Sequence, residues 1–327
     1  MKKKVLFVTE KFCDGTPDLG LTNNFHNLFN SFSIDFGSQY NWNTIHLDEA
    51  YVVYGSHVDN FLVDYCEKWK VDIIIYSLLG GSPLNPAPET FQNIKDLGIY
   101  QCLMWPDTGP GWGFDVIREI GDKVNLNISW DNPTIIDNSF KFSYIHNHID
   151  LWVPQDISLF YPQENQDLDI SFIGSPRYYD RRLILQKIIS SGINLSIRGG
   201  QREEMLSPED YASLIRRSKI NLNFSLSPAN YFQCKGRVYE TLACKTLLLE
   251  FKNPSTSRLF TPGYDYVEFS TMEELISAIK YYSENEEERK KIAQQGYNTY
   301  KEKYSSRIFW QKILDKANEF LNNSTKQ

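Results

Sequence analysis

The stretch Lys235-Gly-Arg-Val-Tyr-Glu-Thr-Leu-Ala-Cys-Lys-Thr-Leu-Leu-Leu-Glu250 predicts a helix over 236–244 that is followed at once by an apolar strand over 246–250. The same alternation of short apolar or β-branched runs with longer amphipathic segments continues in both directions along the chain. That alternation is typical of βαβ units built around a parallel sheet. The stretch therefore places the chain in the α/β class.

Working outward from this stretch, the second half of the chain shows five short runs of strand character. These strands are predicted at 168–173, 193–198, 219–224, 246–250 and 265–269. Helices are predicted between and after them at 180–191, 208–217, 236–244, 271–283 and 286–302. A final amphipathic helix is expected within 306–327, and its apolar face favours packing on the rest of the protein, with weak peripheral membrane contact as the alternative.

The first half repeats the pattern without repeating the sequence. Its strands are predicted at 5–8, 44–47, 71–76, 99–105 and 124–130, and its helices at 22–33, 57–69, 89–97 and 113–121. Around 151–166 the periodicity stops and prolines and polar residues accumulate, which indicates a connection between domains. At 327 residues the chain suits two domains, and we expect them over 1–152 and 153–305.

Composition excludes several classes of protein. The net charge of -7 argues against a nucleic-acid binder, which needs a basic surface. The five cysteines are scattered and show no Cys-x-x-Cys or Cys/His ligand spacing, so neither a disulfide framework nor a structural zinc site is expected. The first apolar run is short and is followed by Glu10 and Lys11, so it predicts a strand rather than a signal peptide. We expect a reduced, cytoplasmic protein.

Two loops that follow predicted strands of the second half combine flexible backbone with a cation. The first contains Gly174, Ser175 and Arg177, and the second contains Arg198 and Gly199. Open parallel sheets bind ligands beyond the carboxyl ends of their strands, and such loops fit an anionic ligand there. Ordinary strand-to-helix turns with surface arginines explain either loop taken singly.

The helix that begins near Lys235 carries the more specific pattern. Free amide groups and the positive end of the helix dipole point to the place where Lys235 and Arg237 stand, which suits a diphosphate. Glu240 lies one turn further along and can accept hydrogen bonds from two vicinal hydroxyl groups of a ribose. The alternative is a surface ion pair between Arg237 and Glu240, worth only tenths of a kcal/mol. The residues alone leave both interpretations open.

Five features of the second half follow one another in a characteristic order. They are Ile173-Gly-Ser175, Arg237-Val-Tyr-Glu-Thr-Leu-Ala-Cys244, Leu247-Leu-Leu249, Leu259-Phe-Thr-Pro-Gly-Tyr-Asp265 and Glu273-Glu-Leu275. In this order they resemble the C-terminal domain of group 1 GT-B glycosyltransferases, particularly the spore-maturation-protein-like branch. In the first half only the architecture and Met104-Trp-Pro-Asp107 agree with that branch.

The resemblance implies two Rossmann-like domains whose parallel sheets face a central cleft. It also implies transfer of a sugar from a nucleotide-diphosphate sugar to a hydroxyl acceptor, which is a glycan, a lipid-linked glycan or a protein. By the resemblance Glu240 holds the donor ribose, while Lys235 and Arg237 lie at the diphosphate and stabilise its growing charge without a metal or cofactor. Phe232 stands where the wider group often has a second Glu, so the sugar contacts of that Glu have no counterpart here.

The acceptor side is expected in the first half. Asp14 and Gly20 lie in the loop after the first strand, and Asn23 stands at a predicted helix start that faces the cleft. Asp107 follows the fourth strand and is the candidate for binding or deprotonating an acceptor hydroxyl. A turn aspartate that caps glycine-rich backbone explains Asp107 equally well. Retention follows if the leaving phosphate takes the acceptor proton, as the resemblance implies, and inversion follows if Asp107 acts from the opposite face.

Other patterns are interpreted as structural. His146 and His148 lie near the predicted connection with no third ligand in view, and Asp167-Leu-Asp169 leads into a strand rather than closing one. No metal site is therefore expected. Two other functions use the same fold. One is a nucleotide-sugar epimerase or hydrolase. The other is a non-catalytic nucleotide- or glycan-binding protein, and Phe232 in place of the expected Glu favours this second alternative.

Overall fold

The computed structural model describes residues 2–11, 23–78, 82–105, 119–130, 147–176, 181–199, 206–224 and 232–324. The chain divides into two compact units, one of Met1–Trp152 with Ser306–Gln327 and the other of Val153–Ser305. In the described residues each unit is built on one sheet whose paired strands all run parallel. The predicted α/β class with two parallel sheets is confirmed.

The first unit contains a six-stranded sheet within the described residues, in the order β2-β1-β3-β4-β5-β6. Its strands are β1 (Lys4–Thr9), β2 (Asn41–His46), β3 (Ile73–Ser77), β4 (Tyr100–Trp105), β5 (Leu126–Ser129) and β6 (His148–Asp150). Its helices are α1 (Asn23–Phe36), α2 (Leu47–Tyr54), α3 (Val58–Trp69) and α4 (Pro88–Asp96). Every residue of β3 is buried, as expected for a central strand that is covered on both faces.

Two elements of the first unit differ from the sequence prediction. The strand predicted at 44–47 ends at His46, and Leu47 begins α2, which the sequence pattern did not reveal. Asp48 in the first turn of α2 accepts hydrogen bonds from the backbone N–H of Lys11 at 3.1 and 3.2 Å, which fixes the chain after β1. The second difference is β6, a three-residue strand at the edge of the sheet that is too short to give a period.

The second unit contains a five-stranded sheet within the described residues, in the order β11-β10-β9-β7-β8. Its strands are β7 (Leu168–Ile173), β8 (Leu195–Arg198), β9 (Ser218–Asn223), β10 (Leu247–Phe251) and β11 (Val267–Phe269). Its helices are α5 (Arg181–Ser190), α6 (Pro208–Arg217), α7 (Gly236–Ala243), α8 (Pro254–Ser257), α9 (Met272–Glu284) and α10 (Glu286–Thr299).

Alternate residues of β9 serve different faces of this second sheet, because successive side chains of a strand point to opposite sides. Ile220 and Leu222 are fully buried in the main apolar cluster of the unit. Asn221 and Asn223 are equally buried on the other face, and Asn223 forms a hydrogen bond with Arg237 of α7. The second unit therefore carries buried polar side chains beneath α7.

The last helix, α11 (Ser306–Ser324), belongs to the first unit. Its Trp310 is fully buried, with its ring centroid 5.2 Å from that of Phe32 and its indole N–H donating to Ser31 Oγ at 2.8 Å. The apolar face of α11 is thus covered by its own unit. Among the described residues, no helix combines the length and apolar character needed to cross a membrane.

Gly296 of α10 offers a test of the packing around α7. A Cβ added there would lie 2.3 Å from the carbonyl oxygen of Asp265 and 2.7 Å from Leu242 Cδ2 of α7. Because backbone cannot yield as a flexible side chain does, Gly296→Ala is expected to lower the free energy of unfolding by about 1–3 kcal/mol in urea denaturation. Lys291→Ala on the exposed side of α10 is the control, with a change within about 0.5 kcal/mol. Equal stability of both variants would contradict this close packing.

Candidate functional site

Arg237 joins the start of α7 to the carboxyl ends of two strands. Its Nη1 donates to Asn223 Oδ1 at the end of β9 over 3.1 Å. A Cβ added at Gly174, just after β7, would lie only 2.8 Å from Nη2, so the guanidinium fills the space that this glycine leaves. The guanidinium carbon also lies 5.8 Å from the ring centre of Phe172. The cation is therefore held at the ligand-binding edge of a parallel sheet.

The two glycine loops predicted from the sequence lie side by side at this edge. The backbone N–H of Gly174 donates to the carbonyl of Arg198 at 2.9 Å, and a Cβ added at Gly199 would lie 3.7 Å from Gly174 N. Both glycines have positive φ, +147° and +80°, which side chains rarely adopt. Arg198 is exposed, and its guanidinium donates to the carbonyl of Ile197 at 2.8 Å.

A further cation at this edge was not singled out from the sequence. Arg181, the first residue of α5, donates to the Ser175 carbonyl at 3.2 Å and to the Phe224 carbonyl at 2.6 Å. It thereby ties the loop after β7 to the residue that follows β9. Sequence reasoning missed Arg181 because neither of these carbonyl partners can be inferred from local spacing.

Helix α7 begins at Gly236, and Lys235 is the residue that precedes it. Lys235 has extended backbone angles, and its Nζ donates to Gln233 Oε1. The first turn of α7 contains no acidic residue, so Glu240, one turn further along, is the carboxylate of this helix that lies nearest to the positive end of its dipole. The first N–H groups of a helix generally have no partner within the helix, and here the N–H of Val238 donates to the Lys235 carbonyl at 3.0 Å, which leaves those of Gly236 and Arg237 as the candidates for a ligand. Amides and two cations thus share one end of α7.

Glu240 points back along α7 toward the same end. The side chain is buried, and Oε2 accepts a hydrogen bond from the Tyr211 hydroxyl of α6 at 2.5 Å. A Cβ added at Gly236, one turn earlier, would lie 3.3 Å from Oε1. Burial raises the pKa of Glu240, although the Tyr211 hydrogen bond and the Arg237 charge act in the opposite direction. The sequence had left open an exposed ion pair between Arg237 and Glu240. The structure rules out that alternative, because the Glu240 carboxylate is buried and bonded to Tyr211.

Several predicted site residues fall outside the described residues. These are Asp14, Gly20, Asp107 and Arg177, together with His146. Asn23 is the first residue of α1. In the second unit, the structure brings Gly174 and Gly199 together and places Arg237 against Gly174. Lys235 directly precedes α7, and Glu240 lies in its second turn.

The acidic pattern at the start of β7 lies at the opposite end of that strand. Asp167 binds Arg217 through two hydrogen bonds of 2.8 and 2.6 Å, and this interaction lowers the pKa of Asp167. Asp169 pairs with Lys219 at 2.6 Å. Within the described ranges, no group of three or more His, Cys, Asp or Glu side chains is arranged to hold a metal ion.

The region that carries this site is similar to a known protein family. Residues 164–315 match a protein-family model described as glycosyl transferase-like, and this region contains the whole α7 site. A comparison with curated proteins found no significant match.

Solved structures resemble the chain over nearly its whole length. HepE (Alr3699) from Anabaena, solved in complex with UDP, aligns with a TM-score of 0.62 at 10% identity over 98% of this chain and 100% of its own. Sucrose-phosphate synthase from Thermosynechococcus elongatus gives 0.63 at 10% identity, with 98% and 100% covered. A glycosyltransferase from Rickettsia africae gives 0.62 at 12% identity, with 98% and 99% covered.

At these identities the likeness establishes the fold. The chain has the GT-B fold, with two Rossmann-like domains that are each built on a parallel sheet. The spore-maturation-protein-like branch stays a prediction from the sequence.

Substitution of the buried carboxylate separates its charge from its shape. Because burial raises the pKa of Glu240, its charged form is less favourable in the folded protein than in water. Glu240→Gln keeps the shape and an acceptor for Tyr211, so it is expected to raise the Tm at neutral pH. The gain should shrink as the pH falls through the raised pKa, because the wild-type carboxyl group then takes up a proton.

Thermal denaturation of both proteins over a pH series measures this difference. Glu288→Gln, at a carboxylate on the surface of α10, is the control and should show no such pH-dependent gain. A lower Tm for Glu240→Gln at neutral pH would mean that Tyr211 and Arg237 outweigh the cost of burial.

Proposed function

We propose that the protein is a glycosyltransferase that moves a sugar from a nucleoside diphosphate sugar to a hydroxyl acceptor. The observation that carries this proposal is the start of α7, where Lys235, Arg237 and the backbone amides adjoin a buried carboxylate, Glu240. The glycosyl transferase-like match over 164–315 and the GT-B fold support the same conclusion.

The chemistry of the donor follows from these groups. A diphosphate accepts hydrogen bonds from helix amides and is attracted to the two cations. When the bond at the anomeric carbon breaks, negative charge grows on the departing diphosphate, and fixed donors stabilise that charge. Lys235 and Arg237 supply this stabilisation, so transfer is proposed to need neither a metal nor a cofactor.

The nucleoside part is assigned to Glu240, whose carboxylate can accept hydrogen bonds from the vicinal hydroxyl groups of a ribose. HepE was solved with UDP and with UDP-glucose, which makes UDP the first nucleotide to test here. The donor sugar is left open, because Phe232 stands where the wider group often has a Glu that contacts the sugar. The backbone at this position is fixed by a hydrogen bond of 2.9 Å from Ser255 Oγ to the Phe232 carbonyl.

The acceptor is proposed to be a glycan or glycoconjugate bound by the first unit, with Asp14, Gly20, Asn23 and Asp107 as candidate contacts. Retention of configuration at the anomeric carbon is proposed from the family resemblance, with the leaving phosphate taking the acceptor proton. If the configuration is inverted instead, Asp107 is the proposed base. A cytoplasmic location fits a nucleotide-sugar donor, and the four described cysteines, all of them free, fit it too.

Phe232 is the observation that favours the second candidate function, nucleotide binding without transfer. Saturable binding of nucleotide sugars with no turnover against a broad acceptor panel would support it. A nucleotide-sugar hydrolase or epimerase is distinguished by product formation in the absence of any acceptor.

A first experiment is a thermal-shift screen with ADP, GDP, CDP and UDP, because a ligand that binds only the folded protein raises the Tm. At least one of the four is expected to raise the Tm in a concentration-dependent way. If none of them does so, the proposed donor site is wrong.

Lys235→Ala tests the contribution of the helix start. A charge-assisted hydrogen bond is worth about 1.5–3 kcal/mol, so calorimetry is expected to show about ten- to hundredfold weaker binding of the nucleotide found in the screen. Lys219→Ala is the matched control, since Lys219 pairs with Asp169 at the opposite end of the sheet and should leave binding unchanged. Equal affinities of the two variants and the wild type would contradict the diphosphate assignment.

A further inference from the structure

We propose that Tyr211 is a positioning residue that gives the nucleotide site its selectivity for ribose over 2′-deoxyribose. The inference rests on the proposed function, since it takes Glu240 to be the ribose contact. Tyr211 lies on α6, 29 positions before Glu240, and its hydroxyl donates to Glu240 Oε2 at 2.5 Å. Among the described residues, Tyr211 therefore fixes the Glu240 carboxylate by a hydrogen bond.

The two oxygens of Glu240 have different surroundings. Oε2 is committed to the Tyr211 hydroxyl, whereas Oε1 faces Gly236 at the start of α7. A Cβ on Gly236 would lie 3.3 Å from Oε1, closer than most Cβ contacts, so the glycine leaves this oxygen room. The carboxylate is therefore held with one oxygen directed toward the end of α7 where the cations lie. An acceptor of fixed direction distinguishes a sugar that offers a hydroxyl from one that lacks it.

The element that carries Tyr211 is itself held in place. Ser207 Oγ caps α6 by accepting from the backbone N–H of Asp210 at 3.1 Å. Near the other end of the helix, the buried Arg216 donates to the Leu159 carbonyl and lies 4.4 Å from the ring centre of Tyr161, which ties α6 to the segment that precedes β7. The Tyr211 ring packs edge-on against Phe160, with centroids 6.2 Å apart. The hydroxyl is thus fixed by packing as well as by its hydrogen bond.

The protonation of the pair supports a lasting hydrogen bond. Burial, and then the neighbouring Glu240 charge, raise the pKa of Tyr211, so its hydroxyl keeps its proton and remains a donor. The same hydrogen bond opposes the rise that burial causes in the pKa of Glu240. Removal of the hydroxyl should both release the carboxylate and raise the pKa of Glu240 further.

Tyr211→Phe removes the hydroxyl and keeps the ring against Phe160. Calorimetry compares the wild type and the variant for the nucleoside diphosphate found in the thermal-shift screen and for its 2′-deoxy counterpart. The wild type is expected to prefer the ribonucleotide by about tenfold or more, as the loss of one hydrogen bond to a charged group implies. In the variant this ratio should fall several-fold. The ratio is the readout, rather than either affinity alone, because the Tyr211 hydroxyl also interacts with Arg237, and loss of that interaction affects both nucleotides alike.

The pH dependence gives a readout that a purely structural role would not move. Ribonucleotide binding needs the Glu240 carboxylate, so it weakens as the pH falls through the pKa of Glu240. In Tyr211→Phe this loss is expected to begin at higher pH than in the wild type. Tyr304→Phe is the matched control. It also removes a tyrosine hydroxyl, but this hydroxyl donates to the Leu259 carbonyl, at 3.0 Å, and not to Glu240.

Gly236→Ala reaches the same carboxylate from the other side. Gly236 is the first residue of α7, and alanine is a better helix former than glycine, so the variant is expected to stay folded, which its Tm checks. Its Cβ crowds Oε1 and should also lower the ratio of ribonucleotide to deoxynucleotide affinity.

The outcomes separate the inference from the proposed function. If the wild type binds none of the nucleoside diphosphates, the proposed function fails and the role of Tyr211 falls with it. If the wild type prefers the ribonucleotide, and Tyr211→Phe folds normally with the same ratio and pH profile, the donor site stands and the positioning role is overturned.

Discussion

The placement of the Arg237 guanidinium is the constraint on which the second unit's site depends. It donates to Asn223 at the end of one strand and occupies the space above Gly174 at the end of the neighbouring strand, so it links the start of α7 to the carboxyl ends of both. A side chain at position 174 would displace it. The same contact brings the start of α7, with its amides and Lys235, to the edge where parallel sheets bind their ligands.

Beside this cation lies the Glu240 carboxylate, whose charged form is made less favourable by burial. Glu240 is buried, and burial raises its pKa more than Tyr211 and Arg237 together lower it. Proteins keep such unfavourable groups where function requires them, and the stability is recovered elsewhere. The second unit also contains a large apolar cluster, in which Ile220, Leu222 and Leu249 are fully buried. Apolar packing also continues beside the site, because Val238 and Leu242 of α7 are fully buried.

The longer elements of the second unit could be predicted closely, because they carry a clear period, whereas the four-residue α8 was missed and β11 begins two residues later than predicted. Helix α6 spans Pro208–Arg217 and β7 spans Leu168–Ile173, the predicted ranges in both cases. In the first unit, α2 was missed because Leu47 continued an apolar run that looked like a strand. β6 has only three residues, too few for any period to show.

The site could be predicted only in part, for a different reason. The spacing of Lys235, Arg237 and Glu240 on one helix is local, and it pointed to a charged helix start. Tyr211 and Asn223 were missed because their bonds to that helix join residues 29 and 14 positions apart, which only the fold brings together. Without them the sequence could not tell a surface ion pair from a buried carboxylate held by Tyr211 and a half-buried cation held by Asn223.

The central claim is that a nucleoside diphosphate binds at the start of α7. Hydrogen–deuterium exchange with and without a saturating nucleoside diphosphate tests it most directly, because bound phosphate protects the amides that it contacts. The account predicts slower exchange at the amides of Gly236 and Arg237 and at that of Ser175, because the amides of Gly174 and Val238 already donate to carbonyl oxygens. Unchanged exchange at both places, with binding demonstrated by calorimetry, would contradict it.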